Sequence, residues 1–439
     1  MTYTKKIIFA ILMVSLPLVS FAQNGINSPY SRYGFGIMAD RSMGFNKGMG
    51  GVAMGFRDGQ SINVANPASY SAVDSLTALF DLGLSLYNAN FKMGDLQSNA
   101  KNSSFDYFAF HFRATKGLGI AIGILPFSNI NYNFSSTPQK TEGSDRFTSA
   151  ESFTGEGGLH QVFLGAGIQV FEPLSIGFNL SYLYGSYKHS INQTFNEAYI
   201  YSTQRIYSAD ISSYMLDLGL QYSFKLNKKD KITFGAAYSL GHDINDAATR
   251  TTGSTKDGEK SDTITNAFQF PHIISAGLTY SHGTKWNVGT DFEIQKWNNV
   301  KFPTQTNDDN YISRKNILND RIKIALGASY TPSEISSNYF NRITYKFGGY
   351  YSKSYANADL TNTISDKPYE FGLSAGVTLP ITSRHLWHNT PKLNISFQWV
   401  HANIPYLNRN TQNKLKENYL KLCLGLTFSE RWFYKWKVQ

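Results

Sequence analysis

A single cysteine, Cys423, stands in 439 residues, so no intramolecular disulfide framework can form. Charged side chains supply only 16% of the chain, below the quarter or so of ordinary soluble domains. Prolines are also few, at 13. Beyond the N-terminus no run of 18 apolar residues occurs, which excludes a membrane-spanning helix but not spanning strands, since these face lipid with every second side chain only. The net charge is +10, yet no Lys/Arg-rich patch or nucleic-acid motif accompanies it, so acidic lipid head groups are the expected partner rather than nucleic acid. No His-Glu-x-x-His, no Gly-x-Ser-x-Gly and no Cys/His cluster is found. The expectation is therefore no enzyme, no catalytic residues, no metal and no cofactor.

What is present begins with an address. Lys5 and Lys6 precede the apolar Ile7–Val19, and Ser20-Phe21-Ala22 supplies small residues for cleavage. Residues 1–22 are expected to be a secretory signal peptide, because the apolar core is too short to cross about 30 Å of hydrocarbon. No cysteine near the cleavage site offers a lipid anchor.

Gly44–Tyr70 is dense in glycine (Gly44, Gly48, Gly50, Gly51, Gly55, Gly59) and ends in Asn66-Pro67-Ala68. Such a stretch packs compactly with little side-chain bulk. It is expected to be a plug; the alternative is a flexible linker. From residue 76 to 428 apolar residues alternate with small or polar ones, as in Leu420, Leu422, Leu424, Leu426 and Phe428 against Lys421, Cys423, Gly425 and Thr427. Successive strand side chains point to opposite faces, and fourteen such segments can be counted. Nearly every one carries an oily face, and aromatic residues reach 15%, as interfacial girdles require. The expected fold is all-β: a 14-stranded antiparallel transmembrane barrel. Short turns follow strands 2, 4, 6 and 8, and long polar loops follow the odd-numbered strands to 13. That asymmetry predicts periplasmic termini and an outer-membrane location.

Inward by parity, Asp81, Asp217, Asp291 and Glu293, with Lys285, Lys323, Arg342 and Lys346, are expected to form a lumen charge network rather than a catalytic pair. Pro126 interrupts strand 3, Leu118–Asn133. Proline cannot donate to the ladder, so the wall there is expected either to open or to bulge at the edge of the hydrocarbon zone. Ala121 and Gly123 would leave lumenal room for an opening, and Phe127 would form an apolar lip.

Several of these pieces resemble the FadL family of outer-membrane transporters for long-chain fatty acids and other hydrophobic compounds. Gly48–Gly55 followed by Ser61–Ala68 is similar to the family's N-terminal hatch, with its Asn-Pro-Ala ending; Leu125-Pro126-Phe127 is similar to its strand-3 element, and Phe270-Pro271 to Gly277 with Trp286, Asp291 and Trp297 to a further block. The resemblance implies a hatch over 23–75 (Gly48, Gly50, Gly51, Asn66, Pro67, Ala68) in a barrel over 76–428, and a side opening at Ala121, Gly123, Pro126 and Phe127. An aromatic, basic periplasmic tail would occupy 429–439. Asn27–Gly34 and Glu430–Lys437 look more like the FadL-like barrels of Bacteroidetes, some of which are subunits of outer-membrane assembly or type IX secretion machinery. The leading expectation is passive uptake of hydrophobic, fatty-acid-like small molecules with lateral exit near Pro126. The alternative is a non-transporting barrel subunit of such an assembly. The expected partners are outer-membrane lipids and lipopolysaccharide, a hydrophobic ligand, and assembly or secretion proteins. A continuous apolar path from the loops to the wall would favour the first reading, a blocked lumen the second.

Overall fold

The structure, a computed structural model, describes residues 27–431 except 136–138, 141–147, 198, 255, 257, 307, 358–367, 382–390 and 405–414. The expected signal peptide and residues 432–439 of the tail lie outside the described residues. Among those described, no helix is long and apolar enough to cross a membrane.

Fourteen long strands make the wall. They are β1 (Thr77–Met93), β2 (Leu96–Thr115), β3 (Leu118–Ser135), β4 (Thr148–Phe171), β5 (Leu174–Phe195), β6 (Thr203–Lys225) and β7 (Asp230–Ser239), followed by β8 (Ile273–His282), β9 (Trp286–Gln295), β10 (Arg321–Tyr330), β11 (Thr344–Lys353), β12 (Tyr369–Pro380), β13 (Lys392–Ile404) and β14 (Leu415–Arg431). Each pairs antiparallel with the next, and β14 pairs with β1 from Thr77↔Arg431 to Met93↔Leu415, closing the cylinder. Closure removes the unpaired edges that lipid cannot hydrate. The alternation decides which side faces out. On β14, Cys423 and Thr427 are buried toward the lumen, while Leu420 of the opposite parity is 56% exposed. Leu424→Arg, on that outer face, should cost about 2–4 kcal/mol near the midplane, and Leu424→Ile little. Denaturant-dependent refolding into vesicles measures both.

The long polar connection expected after the first strand is instead more strand. β1 and β2 continue past their apolar residues and meet at the turn Gly94-Asp95. Period-two alternation persists through Asn88, Asn90 and Lys92, so the ladder continues into water once the oily belt has ended. β4 begins at Thr148 and β5 runs to Phe195 for the same reason. Where the shorter β7 stops, a hairpin of Ala248–Ser254 and Gly258–Ile264 takes over the β6 edge. At the other end, β14 pairs on to Arg431, so the expected tail from 429 starts inside the wall.

Candidate functional site

The lumen is occupied by the chain's own N-terminal segment. Two short 3-10 turns, Pro29–Arg32 and Pro67–Ala72, are capped by the side chains of Ser28 and Asn66, each followed by proline. Asn66 does more than cap: its Oδ1 accepts from Ala68 N (3.2 Å), and its Nδ2 donates to Met54 O (2.9 Å) and to Leu220 O of the wall (3.1 Å). Pro67 and Ala68 lie so close to the wall that a Cβ on Gly177 would come within 2.5 Å of the Pro67 carbonyl. On the far side Gly50, at φ +70°, donates to Ser374 Oγ at 2.8 Å, and Gly48 O accepts from the same hydroxyl at 3.2 Å. Gly51 lies beside Lys323. The expected hatch residues thus all pack against lumen-facing wall groups.

The charge network forms between the segment and the wall rather than among wall residues. Arg41 pairs with Asp217, Lys47 with Asp106, and Asp40 with Lys323 (3.7 Å). Asp291 Oδ2 accepts from the backbone N–H groups of Ala53 (2.6 Å) and Met54 (2.9 Å). Lys346 donates to Phe45 O at 3.1 Å and to Asn394 at 2.8 Å. Glu293 does stay with a wall partner, Arg321, at 2.9 Å. Burial pushes the Asp40 carboxyl up, but Lys323, the Ser42 N–H and Lys47 outweigh it and hold the group at about 2. The Asp40 carboxyl is therefore ionised at neutral pH.

Toward the long-hairpin end the lumen becomes apolar, and one side chain sits at its centre. Phe35 is 0% exposed. Its ring lies 5.6 Å from Phe268, 5.6 Å from Phe270, 5.9 Å from Trp297 and 5.2 Å from Phe302. Gly34 (φ +58°) and Gly36 (φ +89°) make the turn that presents it, and a Cβ on Gly36 would fall 2.4 Å from Asn129 O. The Tyr355 hydroxyl lies against the carbonyls of Tyr33 and Gly36 and closes the turn. The motif Gly34-Phe35-Gly36 carries little sequence signal. An aromatic between two glycines was its only signal.

The wall irregularity is real and has two parts. The β3–β4 register shifts between Pro126 and Ser128, a bulge. The β2–β3 ladder stops at Phe108↔Ile124, although both strands continue. Below this point the outer residues are apolar, Ile120, Ile122 and Ile124 on β3 beside Val162 and Leu164 on β4; above it stand Asn131, Asn133 and Glu156. The β2–β3 pairing therefore ends at the top of the oily belt, leaving a seam between the two strands. The short strand Ile37–Met38 fills part of it, pairing with Asn129 and Ser128 of β3. Ala39 N→Phe127 O (2.9 Å) and Ser28 N→Asn131 O (3.0 Å) flank that pairing.

Two expected features of the opening differ. Phe127 is no lip: the bulge turns it inward, 5.5 Å from Phe270 in an edge contact. Nor do Ala121 and Gly123 leave room, since Ala121 is fully buried in a cluster that includes Tyr70 and Phe163, and a Cβ on Gly123 would meet Phe163 at 2.7 Å. The cavity that reaches Pro126 is of mixed lining: Ile37, Met38 and several tyrosines share it with Asp40, Lys47, Asp106, Arg321, Glu370 and Lys421, and these charges disfavour an apolar molecule. His111 is buried with Nε2 3.1 Å from Tyr70 O. Among the described residues no group of three or more His, Cys, Asp or Glu side chains is placed to hold a metal.

A profile of the family described as BamG matches residues 3–439. The chain belongs to the BamG family. No curated protein matches it. Solved structures similar to this family member include a FadL homologue of Pseudomonas aeruginosa, at 12% identity and a TM-score of 0.60, covering 90% of this chain and 99% of that one. The toluene transporter TodX of P. putida is similar at 15% identity and a TM-score of 0.55, with 90% and 99% covered. TbuX, the toluene transporter of Ralstonia pickettii, follows at 15% and 0.54, again with 90% and 99% covered. Identities this low establish the fold: the BamG-family chain has the FadL-type outer-membrane barrel.

Proposed function

We propose that this barrel serves as a self-sealed, non-transporting subunit of an outer-membrane protein assembly. The observation that carries the reading is Phe35, which fills the apolar chamber where a hydrophobic ligand would otherwise rest. The cavity behind Pro126 supports it, because Asp40, Lys47, Asp106, Arg321, Glu370 and Lys421 among its lining disfavour an apolar passenger. Membership of the BamG family adds modest weight. In this reading 1–22 is removed on export, the segment 23–75 acts as a permanent hatch, and the short-turn end with both termini faces the periplasm. Lipid and lipopolysaccharide surround the belt, as for the Bacteroidetes-type FadL-like barrels. Purification from native membranes in mild detergent should recover the barrel with stoichiometric outer-membrane proteins. Recovery as a lone barrel would contradict the reading.

A second reading is passive uptake of hydrophobic small molecules with lateral exit near Pro126. Two observations favour it, the interrupted β2–β3 ladder and the hydrophobic-compound channels among the structural neighbours. Under it, Pro126→Val restores a backbone donor and lets the ladder close, so uptake should fall while folding is kept. Under the assembly reading the same variant should leave complex formation unchanged.

A further inference from the structure

The β1–β2 hairpin stands beyond the oily belt with one side open. β2 pairs with β1 down to Met93↔Leu96, but toward β3 no described residue pairs with its backbone from Leu96 to Tyr107. Leu96, Gln97, Ser98 and Asn99 are all exposed. A free edge of this length is a liability that folded proteins blunt with proline, bulges or a covering element. Here the edge has no proline, its register with β1 shifts only beside Asp106 at the lower end, and from Gln97 to Ser104 its residues are small or polar on both faces.

The opposite bank of the seam shows what such an edge accepts. β3 has taken the short strand Ile37–Met38 as an added antiparallel strand. The backbone of β2 offers the same regular donors and acceptors, which only another extended backbone satisfies in full. Charge narrows the occupant. The outward face of this extension carries Lys92 and Lys101, with Lys416 beside Lys92 on β14, and no carboxylate among its described strand residues.

We propose that the β2 edge Leu96–Tyr107 is a strand-addition site for an extended segment of a partner protein that presents acidic side chains outward, beside Lys101. The proposal rests on the assembly reading and names the surface by which the barrel would be held. Small inward residues, Ser98, Ala100, Asn102 and Ser104, leave space for the added strand's inner side chains.

Hydrogen exchange on the purified barrel and on the native complex tests it. In the barrel alone, every second amide from Leu96 to Phe105 should exchange fast, since alternate N–H groups point into the seam. In the complex these should slow by about tenfold or more, while Tyr419–Leu426 of β14, paired on both sides, stays unchanged. Lys101→Glu should weaken the complex about tenfold at low salt and Lys101→Arg should restore it. A stable complex whose edge amides exchange as in the free barrel would overturn the proposal, as would an edge already protected in the free barrel. Failure to recover any complex would sink the assembly reading itself, a separable outcome.

Discussion

Phe35→Ala should lower the folding stability by about 3–5 kcal/mol, the range for truncating a fully buried aromatic that leaves a cavity. The surrounding rings cannot collapse into the gap easily. Phe268 and Phe270 lie just before β8, and Trp297 and Phe302 just after β9, so all four rings are anchored next to one laddered pair of wall strands. An apolar cavity of this kind stays dry and accepts small aromatic molecules. The variant should therefore bind benzene or toluene, seen as a rise in melting temperature with added ligand, and the wild type should not. Equal stability of the two proteins would mean that Phe35 is not seated among those rings.

Asp217→Ala should cost about 3 kcal/mol, near the lower end for breaking a buried ion pair. Asp217 is only 2% exposed, and its loss leaves the Arg41 guanidinium without its carboxylate. Arg41 is 22% exposed and borders a polar cavity, so water meets part of the lost interaction. The double variant Arg41→Met/Asp217→Leu should recover most of the stability, because desolvating the pair offsets much of its attraction. Limited proteolysis should separate them: in Asp217→Ala the N-terminal segment should be cut faster, and in the double variant at close to the wild-type rate. Additive destabilisation would contradict the pairing.

The barrel was legible in the sequence because its signal is periodic. Leucines from Leu420 to Leu426 point one way at every second residue, and no loop or partner is needed to see it. Glycine density and Asn66-Pro67-Ala68 marked a compact stretch, and the close approach of Pro67 to Gly177 of the wall agrees with that composition. Strand ends were not, because Asn88, Lys101 and Thr154 are polar on both accounts, loop or water-exposed strand, and only the cross-strand partner decides. The role of Phe127 was misread for a related reason. A bulge shifts parity by one, and sequence shows the proline that causes the bulge but not the direction in which the next side chain turns. Phe35 was missed because its partners lie at 268, 270, 297 and 302, contacts that only barrel closure brings together.

The central claim, a lumen sealed by the chain itself, is tested most directly by uptake of labelled toluene and palmitate into proteoliposomes holding the purified wild-type barrel. Entry should be no faster than into protein-free vesicles, with entry of toluene gained in Phe35→Ala. Saturable entry through the wild type, lost in a folded Pro126→Val variant, would contradict it and establish the barrel as a channel.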